Sequence, residues 1–237
     1  FPPRNTFFKK DLFTGFNGLV FQSDKFPAFH KFVENATWSH NRIRFVTLHA
    51  VGTNNNRPLS GARWEHKNTF YDKVTRTLFS GTMFQKFFSA SKLPFGDMEE
   101  FSERNNANIS WLRYAVEEAV QKNELAIVIF NQADTFVNAH RHLNSGHIKL
   151  NDEVREISRS IKKSILWVQG DSHIFLIDKP FSRGLEVKQP FGEELNLVTR
   201  IVVPGSPVTG YVNIGVYPNR ENIFDISAFF PVSMPTK

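Results

Sequence analysis

The chain has 237 residues, of which 41% are hydrophobic and 22% are charged, values that fit a globular protein with one sizeable core. It contains no cysteine, which excludes disulfides, thiolate nucleophiles and cysteine-ligated zinc. Its formal net charge of +6 favours anionic partners, but the basic residues are scattered and no nucleic-acid-binding motif accompanies them, so nucleic acid is a disfavoured partner. No apolar run reaches the length of about 18 residues that indicates a membrane-spanning helix.

The amino-terminal part is rich in Phe, and residues 1–42 are predicted to form helices and loops. Because the chain begins with Phe and not with a signal peptide, we expect a processed or truncated product. Residues 43–51 are rich in β-branched and large apolar types, which predicts a strand, and the polar residues 52–56 follow it. Residues 57–97 show no clear period and are predicted to be an insertion with one helix around residues 71–88.

The middle of the chain alternates helix and strand. Apolar residues recur at steps of three and four across residues 98–123, which predicts a helix, and the apolar residues 125–130 then predict a buried strand. A second helix is predicted from residue 151 or 152 to residue 161, and a strand at residues 165–168. A helix that leads into a strand, twice in succession, indicates an α/β fold.

Residues 170–173, Gly-Asp-Ser-His, separate the apolar run 165–168 from the apolar run 174–177. Asp171 and His173 could converge on one metal ion or one phosphate from such a loop. The alternative is a hairpin turn in which Asp171 and Ser172 bond their own backbone and His173 has no function.

The last part of the chain contains two further apolar stretches. Residues 199–203 and 211–217 are separated by a segment with two prolines and are predicted to form an antiparallel β region.

Each predicted core strand is followed by a polar loop: residues 52–55 after the first, residues 131–134 after the second, and residues 170–173 after the third. In a sheet that is partly parallel, the carboxyl ends of the strands line one crevice, so these loops are expected to meet. Amide oxygens, a carboxylate and an imidazole are acceptable ligands for a divalent metal, which would polarise a phosphoryl oxygen.

The order of these motifs, continued by Phe-Leu-Ile-Asp-Lys-Pro at residues 175–180, resembles the calcineurin-like metallophosphoesterases, in particular a divergent branch with altered motifs. The resemblance extends from about Phe13 to Phe224. It implies an α/β/β/α sandwich of two mixed sheets flanked by helices, in a single domain over residues 1–237 with 57–97 as an insertion. It also implies a binuclear metal site at the strand ends. The acidic motifs that open the family pattern are absent, so the domain is expected to be amino-terminally incomplete.

The resemblance also implies roles for individual residues. Asn54 matches the asparagine ligand of the family, and Asn55 stands near its catalytic histidine, although an amide cannot act as a general acid. The mid-chain histidine ligand falls at Asn131 or Gln132. Asp171 replaces the first imidazole of the Gly-His-x-His motif, and His173 retains the second. The implied metal ligands are therefore Asn54, Gln132, Asp171 and His173, with Asn55 in the catalytic position.

Two functions follow from this comparison. The first is metal-dependent hydrolysis of a phosphoester, with manganese, iron or zinc as the cofactor. The alternative is a catalytically inactive scaffold with the phosphoesterase fold that binds a protein partner in a larger assembly. The missing acidic motifs, and the amides where the family has histidines, favour the alternative.

For several other polar residues, the sequence favours a structural role over a functional one. His140, His142 and His147 could chelate a metal but are expected in a solvated loop, and His49 is expected to be a hydrogen-bonded core or rim histidine. Arg200 could bind phosphate, but an ion pair with a carboxylate is the commoner arrangement. Ser172 lacks the sequence motif and the partnered base that a nucleophilic serine needs. Asn35 and Asn108 each begin a triplet that matches the N-glycosylation pattern.

Overall fold

The computed structural model describes residues 18–57, 98–136, 145–182, 197–220 and 222–230. Its strands are β1 Val20–Phe21, β2 Ala36–His40, β3 Ile43–Thr47, β4 Ala126–Phe130, β5 Ser164–Gln169, β6 Leu176–Asp178, β7 Val198–Val202, β8 Tyr211–Val216 and β9 Phe224–Phe229. Its helices are α1 Gln22–Lys25, α2 Gly52–Asn55, α3 Met98–Gln121 and α4 Ile148–Ile161, with a 3₁₀ turn at Pro27–Phe29.

Nine strands form two sheets in the described residues. The larger is a seven-stranded mixed sheet in the order β1-β2-β3-β4-β5-β7-β6, and the smaller pairs β8 with β9. The centre of the larger sheet is parallel, because β3, β4, β5 and β7 run in the same direction. Every residue of β7 is buried, as expected for a parallel strand that is covered on both faces. The carboxyl ends of the four central strands therefore lie at one edge.

The two faces of the large sheet are covered by different elements. On one face, Trp111 of α3 and Val154 of α4 pack with Trp167 of β5 in one apolar cluster. On the other face, Phe224 of β9 packs with Leu166 of β5 in a second cluster. The described residues thus form three layers, in which helices, the large sheet and the small sheet follow one another.

This arrangement confirms the predicted α/β class and the presence of two sheets. The long helix, the helix before β5 and the strands β3, β4, β5 and β7 all occur close to their predicted positions. Within the described residues the second sheet is an antiparallel pair, whereas a mixed sheet was expected. The predicted helix at residues 71–88 lies outside the described residues.

The prediction of helices and loops for residues 1–42 was wrong where the structure has the strands β1 and β2, whereas α1 and the 3₁₀ turn agree with it. β2 pairs antiparallel with β3 across a tight turn, where Asn41 has a φ of 48° and Arg42 a φ of 64°. Asn tolerates this left-handed conformation, and paired left-handed residues are typical of a two-residue hairpin. Pro27 begins a 3₁₀ turn of three residues.

The pairing predicted for the late strands was also wrong in part. β8 is antiparallel to β9, but β7 does not pair with β8 and instead lies between β5 and β6. The same order excludes a hairpin at residues 170–173, because β5 and β6 are not neighbours. The segment that holds Asp171 is therefore a crossover at the end of a central strand.

Candidate functional site

The loops after β3, β4 and β5 meet at the carboxyl edge of the sheet. The Gly52 amide donates a hydrogen bond to Gln132 Oε1 at 2.7 Å, and Gln132 Nε2 donates to Asp171 Oδ1 at 3.1 Å. Backbone bonds support this link, because Ala133 N donates to Ala50 O and Gly170 N donates to Gln132 O, each at 3.1 Å. One residue from each loop thus forms a continuous chain of polar contacts.

Gly52 is required for this contact. A Cβ atom at Gly52 would lie 2.5 Å from Asp171 Oδ2, so any larger residue would displace the carboxylate. Asp171 and His173 have left-handed φ values of 74° and 58°, which non-glycine residues adopt at a cost. The His173 ring packs against Gly205, where a Cβ atom would lie 2.5 Å from the ring Cγ. Asp171 and His173 are both exposed, as a ligand-binding pair would need to be.

Asn54 and Asn55 lie in the same region, but their amides bind the protein. Gly146 N donates to Asn54 Oδ1 at 2.7 Å, and Asn55 Nδ2 donates to Gly146 O at 3.1 Å. Asn55 is fully buried, and its Oδ1 accepts a hydrogen bond from Arg104. These two predicted site residues therefore fasten the loop after β3 to the segment before α4.

Arg104 of α3 binds the loop after β3, and no sequence pattern indicated this role. It is 1% exposed and donates to Asn55 O at 2.8 Å and to His49 O at 3.1 Å. Glu100, one helical turn earlier, balances its charge at 2.6 Å. Burial raises the pKa of the Glu100 carboxyl, but the hydrogen bonds from Arg104 and Asn56 outweigh it and hold that pKa below its ordinary value.

His147 was expected in a solvated loop, and for this residue the expectation was wrong. The side chain precedes α4 and is 5% exposed, and its Nδ1 has no hydrogen-bond partner among the described residues. Burial lowers the pKa of His147 to about 4; Asp171 acts to raise it and Arg104 to lower it. The sequence did contain a signal for this burial, since the apolar pattern of α4 begins immediately after His147. His140 and His142 lie outside the described residues.

The remaining candidates have structural roles. His49 Nδ1 lies 3.5 Å from Glu34 Oε2, and its backbone amide donates to Asn35 Oδ1 at 2.7 Å, as expected for a hydrogen-bonded rim histidine. Asn35 and Asn108 are both fully buried and bonded to each other at 2.9 Å, so neither is accessible as a glycan acceptor in the folded chain.

Arg200 forms the predicted ion pair. Its guanidinium binds Asp178 through two hydrogen bonds at 2.8 and 2.6 Å and Asp134 at 3.0 Å. It also lies over the ring of Phe136, with 4.7 Å between Cζ and the ring centroid. A side chain that is 5% exposed and holds two carboxylates in this way is not available to a phosphate.

Two of the predicted metal ligands, Gln132 and Asp171, are in contact at the strand ends. The described residues contain no group of three or more His, Asp or Glu side chains that could hold a metal ion. Asp171, Gln132 and His173 supply a carboxylate, an amide and an imidazole. This set suits one divalent ion whose remaining coordination positions are filled by water, and it is too small for a site that holds two metal ions. Ser172 Oγ, like His147 Nδ1, is one of several buried polar atoms without a hydrogen-bond partner in the described part of the chain.

Comparison with protein-family models, with curated proteins and with solved structures gave no match. In the ranges that the structure describes, no helix combines the length and the apolar character needed to cross a membrane.

Proposed function

We propose that this chain is a metallophosphoesterase-like domain that binds one divalent ion and a phosphoester at the carboxyl ends of β3, β4 and β5. The observation that carries the proposal is the polar link from Gly52 through Gln132 to Asp171. It joins one residue from each of the three loops whose motifs resemble the calcineurin-like family. The edge of a parallel sheet is also where open α/β proteins bind their ligands.

Asp171 is the anionic centre of the proposed site, and Gln132 and His173 complete the protein ligands to manganese, iron or zinc. Such an ion supplies Lewis-acid polarisation of a phosphoryl oxygen and lowers the pKa of a bound water. Gln132 orients the Asp171 carboxylate through the hydrogen bond from Nε2. Asn54 and Asn55 contribute indirectly, because their contacts with Gly146 hold the loop after β3 in place.

A metal titration combined with a phosphatase assay tests this function. The Asp171→Asn variant should bind Mn²⁺ about tenfold more weakly or worse, since even the loss of an outer partner of a ligand costs about 10- to 100-fold. Hydrolysis of an aryl phosphate should fall in parallel. Asp225→Asn is the matched control, because the Asp225 side chain is 60% exposed on β9. Equal Mn²⁺ affinity in the parent and Asp171→Asn proteins would overturn the assignment of Asp171.

A second function, an inactive scaffold that binds a protein partner, is favoured by a specific observation. The amides of Asn54 and Asn55 are engaged by Gly146, Arg57 and Arg104, so neither faces a substrate as an unbonded group. If the full chain binds no Mn²⁺, Zn²⁺ or Fe²⁺ and hydrolyses no aryl phosphate, the scaffold is the better description. Measurable turnover that disappears in Asp171→Asn would exclude it.

A further inference from the structure

The small sheet has an outer face, directed away from the large sheet, that is exposed and carries aromatic side chains. Alternate residues of a strand lie on opposite faces, and Phe224 of β9 lies on the inner face, where it is 3% exposed and packs on the large sheet. The outer face therefore consists of Tyr211 opposite Phe229, Asn213 opposite Ser227, and Gly215 opposite Asp225. All of these residues except the glycine are exposed.

An aromatic pair forms one end of the outer face. Tyr211 is 63% exposed and Phe229 is 55% exposed. Their ring centroids are 5.6 Å apart and the ring planes differ by 30°, so the two rings form one apolar surface. Contiguous apolar surface that is left in contact with water often marks a binding site.

Tyr217 forms the other end of the outer face. Its ring lies over Gly215, where a Cβ atom would be 2.9 Å from Tyr217 Cε2, so any larger residue would displace the ring. The Arg220 guanidinium lies over the same ring, with 4.1 Å between Cζ and the ring centroid. Because Tyr211 and Gly215 are four residues apart on one strand, the two ends of the face are about 13 Å apart.

The surface between the two ends is polar and nearly neutral. Asn213 and Ser227 face each other there and supply an amide and a hydroxyl, which both donate and accept hydrogen bonds. The charges of Arg220 and Asp225 offset each other, since Nη1 and Oδ2 are 3.8 Å apart. The described part of this face thus has no excess of positive charge to attract a polyanion, although the whole chain carries +6.

We propose that the outer face of the small sheet binds a neutral oligosaccharide. A sugar ring has apolar C–H groups on its faces and hydroxyls around its rim, so it stacks on an aromatic ring while its hydroxyls bond to neighbouring polar groups. Aromatic rings at both ends, with an amide and a hydroxyl between them, suit a chain of several sugars. The strands of another small β fold bind oligosaccharides on an exposed face in the same way. This inference goes beyond the proposed function and uses none of its residues.

The test is a calorimetric titration of the full chain with β-1,4-linked hexasaccharides of glucose, xylose, mannose and N-acetylglucosamine. At least one of them should bind, and Tyr211→Ala and Phe229→Ala should each weaken that binding by about tenfold or more. Phe175→Ala is the matched control, because Phe175 is 38% exposed but lies between β5 and β6, outside the outer face. Thermal unfolding checks that each variant is folded.

Two conservative variants separate stacking from other apolar contacts. Tyr211→Phe keeps the ring and should bind the saccharide nearly as well as the parent, whereas Phe229→Leu keeps apolar bulk without a flat ring and should bind as weakly as Phe229→Ala. Parent-like binding by Phe229→Leu would overturn the inference. So would the absence of binding to all four hexasaccharides, or binding of a single-stranded oligodeoxythymidylate in their place. Asp171→Asn should bind the saccharide as the parent does, so the proposed function and this inference fail independently.

Discussion

At the scale of single residues, the candidate site consists of exposed side chains on loops that buried side chains keep in position. Arg104 and Asn55 are buried, whereas Asp171 and His173 are exposed. The exposed pair can exchange ligands with solvent, and the buried pair fixes the loop against which Asp171 packs. Variants of the buried residues should therefore change stability as well as binding.

His147 gives the chain a pH-dependent stability. Its pKa is about 4 in the folded chain and about 6.5 when unfolded, so the unfolded state binds the proton first as the pH falls. Stability from the neutral imidazole is complete above pH 6.5 and is lost as the pH falls toward 4. Between pH 7.5 and pH 5 the loss should be about 2 kcal/mol.

Urea unfolding of the parent and of His147→Gln at several pH values measures this contribution. The parent should lose more stability than the variant between pH 7.5 and pH 5, because Gln does not titrate. The difference between the two proteins removes the contribution of the carboxylates that both contain. Parallel pH profiles would show that the imidazole is not held neutral in the folded state.

Arg104→Lys should destabilise the chain by about 2 to 4 kcal/mol, since Lys keeps the charge but loses the planar fork that reaches Asn55 O and His49 O. Arg113→Lys is the control on the same helix, because that side chain is 62% exposed and pairs with Glu153 at the surface. We expect the control to lose less than about 1 kcal/mol. Equal losses in chemical denaturation would contradict the positioning role of Arg104.

At the scale of elements, the residue patterns predicted those helices and strands that interactions between near neighbours in the sequence determine. The helix α3 and the strand β4 were predicted because their apolar residues follow a helical period and a continuous buried run. The pairing of β7 with β5 could not be predicted in this way, because it joins residues about 30 positions apart and depends on the register of the whole sheet. β2 was missed because its turn, at Asn41, carries no glycine.

The candidate site, like the fold, was predicted in part. Gln132 and Asp171 were assigned to neighbouring loops from their positions after apolar strands, and the structure brings them to 3.1 Å. The burial of His147 was missed, although the apolar pattern of α4 begins directly after this residue. Long-range packing, and not local propensity, decides which histidine is buried.

At the scale of the whole molecule, the small sheet is the layer that covers the face of the large sheet opposite the helices. Phe224 of β9 is 3% exposed and packs in the cluster that contains Leu166 and Ile201. Phe229, at the other end of the same strand, is 55% exposed. The two residues are a matched pair for measuring what this layer contributes.

Phe224→Ala should reduce the free energy of unfolding by about 3 to 5 kcal/mol, because it removes a buried ring and leaves a cavity between the sheets. Phe229→Ala should cost less than about 1 kcal/mol, the scale of its ring contact with Tyr211. Guanidinium unfolding followed by tryptophan fluorescence measures both, since Trp167 lies in the central strand β5. If Phe224→Ala were as stable as Phe229→Ala, the small sheet would not be packed on the large one. The third layer would then be absent from the folded chain in solution.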